Sequence, residues 1–133
     1  VTVIDTSGVV DYLLGIDAAE QVELLIGNEG ELAAPDVLVF ETIAVLRRME
    51  SRGSLAEDRA AGAIADLGDL PLALFPSLPM RTRVWELSEN LTVGDALFVS
   101  LAEQLSEPFA TKDRALLSAI SNHGDLEVEV LAL

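Results

Sequence analysis

No cysteine occurs in the 133 residues. That excludes disulfides, thiolate metal ligands and cysteine nucleophiles, and it fits a reducing, cytoplasmic setting. Histidine is nearly as scarce. The single copy, His123, lies in an Asn-His-Gly turn, which suits a surface position. A mechanism with paired histidines or a Ser-His triad therefore has no support. Positive charge is also short, with 8 Lys and Arg against 23 Asp and Glu, for a net charge of −15. A general nucleic-acid-binding surface needs clustered Lys and Arg, so the balance argues against one. It fits binding of divalent cations or of a basic partner. No apolar run approaches the ~20 residues of a membrane span, and the start lacks the basic segment and long apolar run of a secretory signal. No glycine-rich phosphate loop or dinucleotide fingerprint is present.

What is present is apolar. Half the residues are hydrophobic and the mean hydropathy is +0.40. The chain is long enough for one domain with a real core, residues 1–133. The hydropathy is high for a small soluble chain, which implies apolar surface covered by a second subunit or a partner.

The first seven residues organise the rest. Val1 to Ile4 reads as a β-branched strand buried on both faces, stopping at Asp5-Thr6-Ser7. Thr6 or Ser7 can cap a helix through Val9, Val10, Leu13 and Leu14, ended by Gly15. Asp17 reads as the cap of a second helix, before a turn over residues 27–30. Glu31 to Ala34 is a second strand. Val37 to Arg52 is a long helix closed by Gly53, and Ser54 with Glu57 marks a capping box for a helix to Leu67. Leu72 to Phe75 is a third strand. Leu78 to Glu89, carrying Trp85, and Val93 to Leu105, opened by Thr92, are helical. Phe109 to Thr111 is a fourth strand, Asp113 opens a helix to Ser121, and Leu126 to Leu131 is the last strand. Strands alternating with helices imply an α/β fold with a mostly parallel sheet of about five strands covered on both faces. Right-handed crossovers bring every strand's carboxyl end to one edge, where ligands bind.

Four acids reach that edge. Asp5 and Asp113 follow strands, and each also suits a helix cap. Glu41 stands in the apolar run Val37 to Leu46, where an unpaired buried carboxylate would cost several kcal/mol. Its nearest intrahelical partner is Arg48, two turns on. Asp95 follows Thr92 at capping-box spacing. Clustered carboxylates repel, and oxygen-only ligands select a hard cation, Mg²⁺ or Mn²⁺. Such a cation polarises a phosphoryl oxygen and lowers the pKa of bound water, which suits phosphodiester hydrolysis. Two other acidic, Mg²⁺-binding classes fit less well. A phosphoacceptor receiver wants paired acids after the first strand and an aspartate at the end of the third. A haloacid-dehalogenase-type phosphatase wants an aspartate where Ser7 stands.

In order and spacing, these motifs resemble the PIN domain, and specifically VapC toxin ribonucleases. The resemblance runs through Val3-Ile4-Asp5-Thr6-Ser7, Pro35 to Arg48 with Glu41, Arg83 to Leu87, Asn90-Leu91-Thr92, Asp95 to Glu103, and Ala110 to Leu116 with Asp113. It implies a three-layer α/β/α fold and a Mg²⁺- or Mn²⁺-dependent endoribonuclease toxin that inhibits translation. A VapB-type antitoxin would silence it, with homodimers and toxin–antitoxin hetero-oligomers. An antitoxin helix would lie on the apolar faces of the first helices, its basic tail entering the acidic pocket. Asp5, Glu41, Asp95 and Asp113 would hold the metal and serve catalysis. Ser7 or Thr111 would place the metal-bound water or a phosphate. Lys112 and Arg114, which flank the last acid, would either contact substrate phosphate or screen the acidic surface. Gly94 departs from the pattern, where a tyrosine is common. With the charge of −15, that departure motivates an alternative: a PIN-fold partner-binding module with little or no catalysis.

Overall fold

The computed structural model describes residues 1–133. Strand β1 (Val3–Ile4) is followed by α1 (Thr6–Leu14) and α2 (Ala19–Glu29), then β2 (Leu32–Pro35), α3 (Val37–Ser51) and α4 (Glu57–Leu67). Strand β3 (Leu72–Phe75) leads through a 3-10 turn (Leu78–Met80) into α5 (Arg81–Leu87) and α6 (Val93–Leu105). The chain ends with β4 (Phe109–Thr111), α7 (Arg114–Ser121) and β5 (Val130–Ala132).

The five strands form one sheet in the order β3-β2-β1-β4-β5, and every pairing is parallel. β1 is the central strand, and Val3 and Ile4 are fully buried. Their β-branched side chains fill the sheet from both faces, as the opening run predicts. Helix α1 packs on α2, α3 and α4, while α5 packs on α6 and α6 covers β1, β2 and β4. The result is a three-layer α/β/α arrangement. The largest core cluster joins Val3 and Ile4 of β1, Leu38 of α3, Phe98 of α6 and Phe109 of β4.

Several local expectations are corrected. Asp5, not Thr6 or Ser7, caps α1: its carboxylate accepts from the Gly8 amide at 3.1 Å. Asp17 does not cap α2, which starts after Ala18 without a side-chain cap. Asp17 instead adopts φ 43°, a left-handed conformation in which aspartate is one of the commoner non-glycine residues. The capping box at Ser54 does not form. The Ser54 hydroxyl donates back to the Met49 carbonyl at 3.0 Å, and α4 begins after Ala56 without a side-chain cap. The expected single helix from Leu78 to Glu89 is a 3-10 turn containing Pro79, followed by the shorter α5. The last strand is Val130–Ala132 rather than Leu126 to Leu131, because its register is set by pairing with β4.

The strand order places two sequence-distant strands, β1 and β4, side by side at the centre. Their connections leave in opposite directions across the sheet, to β2 and to β5. Such a switch point opens a crevice beyond the strands' carboxyl ends. Asp5 directly follows β1, and Thr111 ends β4.

Candidate functional site

A cavity of about 860 Å³ opens at this crevice. Its wall includes Asp5 and Ser7 beside β1, Glu41 from α3, Gly94 and Asp95 from α6, and Lys112 and Asp113 after β4. Four carboxylates separated by up to 108 positions (113 − 5) thus border one hollow. The topology accounts for this. Asp5 and Asp113 leave the carboxyl ends of adjacent parallel strands. Glu41 lies in the second turn of the helix that follows β2, and Asp95 in the first turn of α6.

Each acid is held locally. The Asp5 carboxylate accepts from the Ser7 hydroxyl at 2.9 Å, from the Gly8 amide and from the Thr111 hydroxyl. Thr111 is fully buried, and its oxygen also accepts from the Asp113 amide at 3.1 Å. One hydroxyl thereby links the first and last acids. Glu41 Oε1 accepts from the Thr6 hydroxyl at 3.0 Å. The Thr92 hydroxyl accepts from the Asp95 amide at 3.1 Å, capping α6. Asp113 Oδ1 caps α7 by accepting from the Leu116 amide at 3.0 Å. The sequence allowed a capping role for Asp5 and Asp113, and both acids have it while facing the cavity.

None of the four acids forms a salt bridge. Arg48 lines the same cavity yet makes no ion pair with Glu41. Burial pushes the Asp5 carboxyl above its ordinary value; hydrogen bonds from Thr111, Gly8 and Ser7 oppose the rise and the Asp95 charge adds to it. Burial also raises Asp95, opposed by Thr92 and reinforced by the charge of Asp113. Asp5, Asp95 and Asp113 therefore form a chain of mutual repulsion. As the side chains are disposed, no group of three or more closes around a common point at metal-ligand distance. Glu41 Oε2 and Asp113 Oδ2 have no protein donor. The donor set is all carboxylate and lacks a cation of its own, so it fits a hard divalent ion.

The raised Asp5 value has a consequence for stability. A folded pKa above the ordinary 3.8 means the folded state holds the proton more tightly than the unfolded chain. The resulting stabilisation is complete below the unfolded value and is lost as pH rises through the folded one. In buffer with chelator, wild type is expected to lose stability relative to Asp5→Asn as pH is raised from the carboxylate range to neutrality. Paired thermal melts across that range provide the check, and a pH-independent difference would contradict the raised value.

Gly94 leaves space at the cavity wall. A Cβ there would meet only Glu41 Oε2, at 3.7 Å, an ordinary contact. Nothing in the backbone requires glycine, so its presence widens the hollow between α3 and α6. Lys112 does not project freely: its ammonium donates to Asp11 at 2.8 Å and lies 3.5 Å from Asp17. Arg114 is exposed and is the first residue of α7. The sequence reading missed Asp11, which is 3% exposed and lines the cavity. The signal was available. Asp11 stands alone in the apolar run Val9 to Leu14, just as Glu41 stands alone in its own run. Thr6, the donor to Glu41, was read only as a capping residue.

A family model described as PIN domain matches residues 2–121. Ribonuclease VapC1 of Mycobacterium tuberculosis is 34% identical over 118 residues, covering 88% of this chain and 89% of that protein. Ribonuclease VapC3 of Pyrobaculum aerophilum is 28% identical over 118 residues, covering 86% and 90%. Among solved structures, PAE2754 from Pyrobaculum aerophilum superposes with a TM-score of 0.69 at 19% identity, covering 89% of this chain and 83% of that one. VapBC2 from Rickettsia felis, solved bound to a DNA fragment from its promoter, gives 0.66 at 15% identity, covering 98% of each chain. At those identities the structural likeness speaks for the fold.

Proposed function

The chain belongs to the PIN-domain family, and from that premise we propose that it is a divalent-cation-dependent endoribonuclease, the toxin of a toxin–antitoxin pair. We take residues 1–133 as one catalytic domain, with Asp5, Glu41, Asp95 and Asp113 holding Mg²⁺ or Mn²⁺. The observation that carries this reading is four carboxylates without a single ion pair around one cavity at the sheet's switch point. Bare acids in that density favour a cation strongly.

When bound, the cation supplies Lewis acidity toward a phosphoryl oxygen and acidifies water. The protein's own residues set the stage. Ser7 and Thr111 fix the Asp5 carboxylate from two sides, leaving its orientation little freedom. Thr6 does the same for Glu41. Thr92 anchors the start of α6 and so the position of Asp95. Arg114, beside Asp113, is offered as a phosphate contact. The open space at Gly94 admits a substrate group between Glu41 and Asp95. A negative surface repels RNA at long range, so binding is expected to strengthen as divalent cation is added.

The relatives' names point to the partners. A VapB-type antitoxin with a basic segment complements the charge of −15, and a second copy of the chain would cover exposed apolar residues such as Phe40 and Trp85, 71% and 79% exposed. No helix is long and apolar enough to cross a membrane.

The test is cleavage of a panel of structured RNAs by the purified chain with Mg²⁺, with Mn²⁺ and with chelator. Cleavage with either cation and none with chelator is expected. Folded protein that binds neither ion and cuts nothing would sink the nuclease reading. It would favour instead a module that binds partners on the same scaffold, for which the excess charge and Gly94 are the motives.

A further inference from the structure

An ion pair between a buried aspartate and an exposed lysine beside the site has no part in the scheme above. Asp11 is 3% exposed, and a charge so placed needs a partner and hydrogen bonds. It has both. Its Oδ2 accepts from the Lys112 ammonium at 2.8 Å and from the Ala18 amide at 3.2 Å. Asp17, whose left-handed backbone turns the α1–α2 link, brings a second carboxylate to 3.5 Å from the same ammonium. Hydrogen bonding to Asp11 holds Lys112 protonated, raising its pKa against the effect of burial.

The placement matters more than the pairing. Asp11 belongs to α1, six positions (11 − 5) after Asp5, which caps that helix. Lys112 belongs to the link between β4 and α7. Its predecessor, Thr111, donates to Asp5, and its successor is Asp113. The ion pair therefore spans the crevice between β1 and β4 and ties together the two segments that carry the first and last acids. We propose that the Asp11–Lys112 pair, backed by Asp17, is a positioning clasp. It holds Asp113 at the spacing from Asp5 at which both can reach one divalent cation. This rests on the cation-binding reading given above.

The alternative role for Lys112 is direct contact with substrate phosphate. Geometry disfavours it. The ammonium is shared by two carboxylates, so the three groups together carry a net charge of −1 and present no positive surface to a phosphate. Nor is the lysine placed to neutralise the acids of the site, since it forms no ion pair with any of the four.

The experiment is calorimetric titration of the full chain with Mn²⁺, alongside steady-state RNA cleavage. Removing a partner that orients a metal ligand typically weakens metal binding by about 10–100-fold, and that is the loss expected for Lys112→Met. Lys112→Arg, which keeps the cation, should recover most of it. Because Lys112→Met leaves Asp11 buried and unpaired, Asp11→Asn/Lys112→Met supplies a variant with no stranded charge. It should show the same loss in Mn²⁺ affinity while melting as a folded protein. Unchanged Mn²⁺ affinity in a folded double variant overturns the clasp. A raised KM with unchanged Mn²⁺ affinity overturns it too and makes Lys112 a phosphate contact. Wild type that takes up no Mn²⁺ at all is a different failure, that of the cation-binding reading itself.

Discussion

Asp5→Asn is expected to leave the chain folded and to lower cation-dependent RNA cleavage by more than about a hundredfold, since even partners that only orient a metal ligand are worth 10–100-fold. The substitution is chosen because of what Asp5 does besides facing the cavity. Its carboxylate is the N-cap of α1, and replacing a cap by alanine costs about 0.5–2 kcal/mol. Asparagine is as good a cap as aspartate. Its carbonyl oxygen can accept from the Gly8 amide and the Ser7 hydroxyl, and its amide can donate to the Thr111 oxygen. Shape and the helix cap survive, with the Thr111 bond reversed, while one negative charge is lost. Burial and the neighbouring Asp95 already disfavour that charge, so the metal-free variant should melt no lower than wild type at neutral pH. Mn²⁺ titration and cleavage kinetics on the same preparation give the answer. Cleavage within tenfold of wild type would mean that the reaction does not depend on a cation at Asp5.

The same double duty explains how much of the site was legible in the sequence. Asp5 and Asp113 look like helix caps because they are helix caps. Read singly, they carry little functional information. What marks them is that both follow strands that a parallel topology sets side by side. Glu41 was legible for another reason, as a charge in an apolar run. Asp11 gives the same signal, but its partner Lys112 lies 101 positions away (112 − 11) and only the fold brings it near. The errors share that character. Ser54 has the residue type of a helix start, yet its hydroxyl closes the preceding helix, where Gly53 at φ 77° reverses the chain. The last strand could not be placed from its own apolar alternation. Three residues of β4 select Val130–Ala132 as their partners, and residues before them stay outside the sheet. Local chemistry proposes such boundaries, and distant pairing decides them.

Phe109→Ala is expected to lower the unfolding free energy by about 3–5 kcal/mol, a large part of the roughly 5–15 kcal/mol that holds a domain of this kind together. Phe109 is fully buried in β4, between β1 and β5, with Val3 and Val130 as its neighbours across the sheet. Its ring meets that of Phe98 from α6, with centroids 6.4 Å apart and planes tilted by 44°. Those two elements position two of the four acids: Asp95 lies one turn before Phe98, and Asp113 lies just beyond β4. Truncation leaves a cavity where helix and sheet should interlock, so it loosens the site as well as the fold. Urea unfolding should show a lower midpoint with an unchanged slope. A divalent cation that binds only the folded state then offsets part of the loss, by about 2.7 kcal/mol at a hundredfold excess over its Kd. Mg²⁺ should therefore raise the midpoint of Phe109→Ala and of wild type, and raise that of Asp5→Asn much less. A loss under about 1 kcal/mol would place Phe109 outside the large-to-small core range, and an equal Mg²⁺ effect on all three proteins would detach the cation from the acids at the switch point.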